Sequence, residues 1–212
     1  MVTLNSVINT HKVLVLPVVL GLMWYFHNWG PAAFLYLGMH GTYTFLWLMK
    51  EDIYPDKSFE QKVPFGIGLA IFLPLATYLI APYLLISRHT ILPAWVFAAA
   101  PAIYAVGMFL EYVGDAQKYF VLQLRRGLIV DGLFARTRNP NYLGEIMIYG
   151  AFALTSWHWL SLLVLATWLL FFFHNMRRKD RSLSRYPAFA EYAKRTGMLL
   201  PAFGRRTAAS HS

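Results

Sequence analysis

The chain has 212 residues, of which 58% are hydrophobic and only 14% charged, with a formal net charge of +9 and no cysteine; its mean hydropathy is +0.44. A soluble globular domain has roughly 45–50% apolar and about 25% charged residues, so the composition predicts one membrane-embedded domain over residues 1–212. Without cysteine, disulfides, thiolate metal sites and cysteine nucleophiles are excluded.

The N-terminus lacks a basic stretch followed by a short apolar core and a small-residue cleavage site, so no removed signal peptide is expected. Six apolar segments follow, over residues 13–29, 32–49, 65–86, 91–112, 143–158 and 160–174. A spanning helix needs about 20 apolar residues, which predicts an all-α, polytopic integral membrane protein of about six transmembrane helices. Pro74, Pro82, Pro93 and Pro101 predict kinks, tolerated in membranes where neighbours satisfy the freed backbone groups. The last two segments are short, and with only Trp159 between them they read as a tight helical hairpin. No internal repeat or low-complexity segment is present.

Most basic residues fall in two places. Lys118, Arg125, Arg126, Arg136 and Arg138 lie between the fourth and fifth segments. Arg177, Arg178, Lys179, Arg181, Arg185, Lys194, Arg195, Arg205 and Arg206 follow the sixth. The positive-inside rule puts both regions, both termini and the 50–62 loop on the cytoplasmic side. Topology and attraction to anionic membrane lipids account for the excess charge, and no soluble fold remains to carry nucleic-acid binding.

Polar residues at membrane depth usually face a cavity or another helix. In the second segment, His40-Gly41-Thr42-Tyr43 is such a group, and Tyr43 reads either as a proton donor or as a buried, hydrogen-bonded tyrosine. Glu111 and Asp115, four apart, share one helical face and either cap a span or join Gln117, Lys118, Arg125 and Arg126 at a polar site. Acids for hydroxyls and arginines for phosphates is the mixture that a nucleotide cofactor needs. His27, His89, His158 and His211 fall at segment ends or in the tail, where interfacial roles suffice. No His/Asp/Glu group has zinc spacing, so no metal is expected, and there is no Walker or Rossmann glycine pattern.

The densest signal is Gly132-Leu-Phe-Ala-Arg-Thr-Arg-Asn-Pro-Asn-Tyr-Leu-Gly-Glu145. Asn139 reads as an N-cap and Pro140 as the first helical residue. Beside Arg136 and Arg138, that helix start reads as an anion cradle, and Glu145 shares a face with Asn141 one turn earlier. Folding the hairpin back about Trp159 puts Glu145, His174 and Asn175 at one depth. There, His174 either bonds Glu145, flanks a ligand with it, or merely stabilises the hairpin. Asp180, Tyr186, Glu191 and Tyr192 sit in a basic segment that reads as an interfacial helix.

At these residues the chain resembles the steroid 5-alpha-reductase family and related bacterial membrane proteins. The resemblance runs over 107–203 and rests on Gly132-Leu-Phe, Asn139-Pro-Asn-Tyr-Leu-Gly-Glu-Ile146, Gly150-Ala-Phe-Ala-Leu154, Trp157, the tail from His174 to Tyr186-Pro187, and Leu200-Pro-Ala-Phe203. It implies NADPH, with Asn141 and Glu145 at the nicotinamide amide and Asp115, Arg125, Arg126, Arg138, Tyr142 and His174 along the ribose and phosphates. It also implies reduction of the C=C bond of an enone in a lipophilic, steroid- or isoprenoid-like substrate, with Tyr43 polarising the ketone. The family pairs that tyrosine with a glutamate in an earlier helix. No acid precedes Glu51 here, and the chain is one helix shorter at its N-terminus. Membrane methyltransferases of isoprenylcysteine or phospholipids share the architecture and use S-adenosylmethionine. Their Arg-His-Pro-x-Tyr-x-Gly motif has Asn139 in place of histidine here, and Asn141 and Glu145 favour the reductase side.

Overall fold

The computed structural model describes residues 1–202; Phe203, Arg205, Arg206 and His211 lie outside the described residues. Among the described residues the structure is all-α apart from an isolated bridge between Thr137 and Gly197 and a two-stranded ribbon, Val2–Thr3 against Lys62–Val63, antiparallel with Val2 opposite Val63. The Thr3 hydroxyl accepts from the Ser6 N–H at 3.0 Å and starts α1, Leu4–Tyr25. Pro31 opens α2, Pro31–Ile53, from the first helical turn, where a missing N–H costs nothing. Next, α3 (Phe65–Ala76) and α4 (Ile80–Ser87) form one apolar run, interrupted just after Pro74 by a 3-10 turn at Thr77–Leu79. The remaining helices are α5 (Val96–Leu124), α6 (Pro140–Ser156), α7 (Trp159–Leu183) and α8 (Phe189–Arg195).

Each of the six apolar segments lies largely within helix. Among the described residues, four stretches are long and apolar enough to cross a membrane: Leu4–Tyr25, Phe65–Ser87, Val96–Leu124 and Trp159–Leu183. The other two fall short for different reasons. Helix α6 has only 17 residues, and the polar run from His40 to Thr44 dilutes α2. Contrary to the sequence expectation, the last helix is not short. Its basic end continues through Lys179 to Leu183, giving 25 residues. The hairpin turn sits at Trp157 and His158, and Trp159 already belongs to α7.

Three helix ends close on non-glycine residues in the left-handed region: His27 (φ 52°), His89 (φ 48°) and Trp157 (φ 49°). At the first two, the following N–H reaches back five residues, Asn28 to the Met23 carbonyl at 2.9 Å and Thr90 to the Leu85 carbonyl at 3.1 Å. This is the Schellman closure that glycine usually makes. Substituting glycine for the exposed His89 is expected to stabilise the protein by about 1 kcal/mol. The detergent unfolding midpoint should rise accordingly, and an unchanged midpoint would show that the imidazole offsets the backbone cost.

The chain forms two compact units, Met1–Ala105 with Ile148–Ala166, and Val106–Met147 with Thr167–Ser212. In the first, side-chain bonds tie helix to helix. Thr44 donates to the Lys12 carbonyl (3.1 Å), Trp47 to Asn9 Oδ1 (2.8 Å), Asn28 to the Ile86 carbonyl (2.8 Å) and Tyr104 to the Met39 carbonyl (2.8 Å). Lipid is as apolar as leucine, so such bonds and close packing take the place of the hydrophobic effect in holding the bundle. The outer surfaces present Leu14, Phe45, Leu73, Phe109, Leu163 and Phe171. These faces suit lipid contact.

Candidate functional site

In the second unit, the chain enters α6 as the sequence indicates: Asn139 is fully buried, Pro140 is the first helical residue, and the Leu143 N–H donates to the Asn139 carbonyl at 3.1 Å. The Asn139 side chain is employed elsewhere. Its Nδ2 donates to the Met198 carbonyl at 2.8 Å, and its Oδ1 accepts from Lys179 Nζ at 3.0 Å. The Lys179 ammonium also donates to the Arg138 carbonyl at 3.1 Å.

Arg138 is similarly committed. Its Nε and Nη2 fork onto the Asp180 carboxylate at 2.9–3.2 Å, and its Nη1 donates to the Thr196 carbonyl at 2.8 Å and the Ala193 carbonyl at 3.3 Å. The Thr137 hydroxyl donates to the Leu199 carbonyl at 2.8 Å, and the Arg138 N–H to the Gly197 carbonyl at 2.9 Å. Tyr192, read from sequence as part of an interfacial helix, is 2% exposed. It donates its hydroxyl to the Phe134 carbonyl at 2.8 Å, and burial pushes that hydroxyl's pKa up. The basic motif is therefore stitched to the tail, and Arg138 acts within this unit as a clamp.

One turn into α6 the chemistry changes. Asn141 Oδ1 is buried and accepts from no group among the described residues. Glu145 follows on the same face and is half-buried, as is Tyr142, whose ring lies 5.4 Å from that of Phe172. The backbones of α5 and α6 meet at Gly144, where a Cβ would collide with the Glu111 N–H and lie 2.5 Å from the Gly107 carbonyl oxygen. That approach buries Glu111 to 4% exposure, while Asp115, one turn on, is half-buried. Gln117 bridges the following loop, donating to the Asp131 carbonyl at 2.9 Å and accepting from the Leu133 N–H at 3.1 Å.

The remaining cations differ. Arg125 pairs with Asp131 at 2.9 Å with both side chains largely exposed, and Arg126 and Arg136 are exposed. His174 lies on the exposed side of α7, whose inward face carries Phe172, Met176 and the half-buried Asn175 and Lys179.

Tyr43 belongs to the first unit, where it is fully buried beneath a cation missed by the sequence reading. The Lys12 ammonium stands 3.7 Å from the centre of the Tyr43 ring and 4.3 Å from that of Trp47, and it donates to the Tyr149 hydroxyl at 3.4 Å. Lys12 is 4% exposed. The first apolar run begins at residue 13, just past it. The Thr3-x-x-Ser6 cap is the signal that shows Lys12 two turns inside a helix. His40 stacks on Phe152 at 4.5 Å and shares a hydrogen bond with the Tyr36 hydroxyl at 3.2 Å. Ionisable residues within membrane helices are rare and face the bundle interior or a cavity, as Lys12 and His40 do here.

Residues 65–196 match the model of a protein family, DUF1295, described as a protein of unknown function. No curated protein matches the chain.

Proposed function

The chain belongs to the DUF1295 family, and from that premise we propose a membrane-embedded, NADPH-dependent reductase of the C=C bond of an enone-type lipid, steroid- or isoprenoid-like. The observation that carries this reading is the Asn141 amide oxygen, buried without a partner one turn before Glu145. A buried acceptor left unsatisfied costs about 1–3 kcal/mol, and the carboxamide N–H group of a nicotinamide would satisfy it. Asn141 and Glu145 would hold that amide. Asp115, Tyr142 and His174 would serve the ribose, and the exposed Arg125 and Arg126 the phosphates. Arg138 is assigned the positioning of the helix start on which Asn141 stands.

When bound, NADPH supplies a hydride to the electron-poor carbon of a polarised double bond. The chain's part is to fix the amide, exclude water with its apolar helices, and place a donor at the substrate oxygen. That donor is drawn from the Lys12, Tyr43 and Tyr149 cluster, where the Lys12 ammonium donates to the Tyr149 hydroxyl and stands over the Tyr43 ring. Desolvated donors aimed at developing charge are usually the largest catalytic contribution. The basic loop before α6 and the basic tail belong, on this reading, to the cytoplasmic side.

The test is equilibrium binding of NADPH and, separately, S-adenosylmethionine to the detergent-purified protein. We expect micromolar NADPH binding that weakens about tenfold in Asn141→Ala, the loss of one buried hydrogen bond. Binding of S-adenosylmethionine with none for NADPH would replace this reading by methyl transfer.

A further inference from the structure

Within the second unit, the end of α7 presents one outward face. Leu170, Phe171, His174, Arg177, Arg178 and Arg181 are exposed, and at 3.6 residues per turn they fall within about 120° of arc. Phe172 and Met176 are buried on the opposite side, where Lys179 and Asp180 hold the start of α6. The outward face changes polarity within two turns. Leu170 and Phe171 are 73% and 53% exposed, as suits lipid contact, and past His174 come the three arginines.

These three guanidinium groups make no hydrogen bond or ion pair among the described residues. Acids close by in the chain are engaged elsewhere, Asp180 with Arg138 at 2.9 Å and Glu191 with Lys194 at 2.8 Å. Arg185, next in the series, turns to its neighbour and donates to the Tyr186 hydroxyl at 3.3 Å. The positive-inside rule asks for cations near this helix end, wherever they stand on the surface. The helix dipole favours cations only over the last turn, and Arg177 and Arg178 precede Leu183 by more than that. Neither accounts for three on one face. Arg181 lies three and four residues from the other two, a spacing at which like charges repel. An anion shared among them turns that repulsion into attraction.

We propose that this face binds one anionic phospholipid, its phosphate held by Arg177, Arg178 and Arg181 and an acyl chain lying along Leu170 and Phe171. Guanidinium forks match phosphate oxygens in shape as well as charge. The apolar pair sits one to two turns further along the helix from the arginines, where the chains of that lipid run. A free anion would use the arginines and leave Leu170 and Phe171 idle. The bound lipid braces the two turns whose inner side grips the start of α6. No cofactor is involved, so the surface holds or fails apart from the reductase reading.

The probes are palmitoyl-oleoyl phosphatidylglycerol and the zwitterionic phosphatidylcholine with the same chains. Retention of each on the detergent-purified full chain is read by native mass spectrometry, and the thermal unfolding midpoint is followed alongside. We expect one phosphatidylglycerol to be preferred about a hundredfold, roughly fivefold for each arginine, and to raise the midpoint. Arg177→Gln/Arg181→Gln alters two exposed side chains without partners, and its midpoint in phosphatidylcholine should match the wild type. Its preference should fall to about fivefold, and phosphatidylglycerol should no longer raise its midpoint. Lys57→Gln/Lys62→Gln, which removes two exposed cations from the first unit, is expected to keep the full preference. Equal retention of both lipids, or an equal loss in the two double variants, overturns the proposal. So does a midpoint raised as far by millimolar inorganic phosphate, which would make this a free-anion site. Loss of NADPH binding in Arg177→Gln/Arg181→Gln would give the arginines to the cofactor and likewise overturn it.

Discussion

Arg138→Ala is expected to destabilise the second unit by about 3–5 kcal/mol, the range for breaking a buried ion pair by removing one partner. Its side chain and that of Asp180 are only 11% and 18% exposed, so truncation leaves a carboxylate with little access to water. It also strips donors from the Ala193 and Thr196 carbonyls. Arg138→Lys should recover less than half of the loss, because an ammonium is a point charge and lacks the planar fork that grips both carboxylate oxygens. The midpoint of thermal unfolding in detergent, followed by circular dichroism, reads the effect. A variant that keeps the wild-type midpoint but loses NADPH affinity would return Arg138 to the phosphates and remove its role as a clamp.

The second large effect is expected at Gly144. An alanine there puts its Cβ against the Glu111 N–H and 2.5 Å from the Gly107 carbonyl oxygen. Both are main-chain atoms of one helix and have no rotamer to yield with, so α5 and α6 must part along the contact. Overpacking costs roughly 1–3 kcal/mol where side chains can adjust, and this substitution should reach the top of that range. Gly114→Ala is the matched control. Its Cβ meets Asn141 N and Pro140 Cγ at 3.3 Å, a tight contact that a few tenths of an ångström relieves. Unfolding midpoints of the two variants should differ clearly; equal midpoints would mean that the Gly144 approach contributes nothing to stability.

What was legible in the sequence was local. Apolar runs bounded by proline, glycine and charge gave the helices, because burial in lipid depends on a residue and its immediate neighbours. The start of α6 could be read to the residue, since proline at the first helical position after an asparagine has a local backbone reason. The first and last long helices extend beyond their apolar runs for a shared reason. Polar residues such as His11 and Lys12, and the charged run from Arg177 to Arg181, look like punctuation along the chain but lie on helices with one buried side. His27 and His89 read as segment ends, but their left-handed closure is not legible because glycine, its usual signal, is absent.

The site was less legible, because its assignments depend on distant partners. Arg138 reads as a phosphate ligand beside Asn139. Only the fold supplies Asp180, 42 residues on, and Thr196, 58 residues on. The Thr3-x-x-Ser6 cap places Lys12 inside a helix, but its surroundings, Tyr43, Trp47 and Tyr149, come from helices far away in sequence. Asn141 and Glu145 were legible as a pair, since one helical turn relates them directly.

The stitch between the start of α6 and the tail has a consequence for how the protein is made. Thr137 and Asn139 bond to residues 62 and 59 positions later. At synthesis rates of about 5–20 residues per second, the start of α6 leaves the ribosome roughly 3–12 s before the segment that holds it. Until then, Asn139 and Arg138 lack the carbonyls they will bind, and the helix they introduce must wait at the membrane with its entrance undone. A chain released before Thr196 would keep every apolar segment and still not close this corner, so a nascent-chain series crossing that residue should become protease-resistant abruptly at the tail.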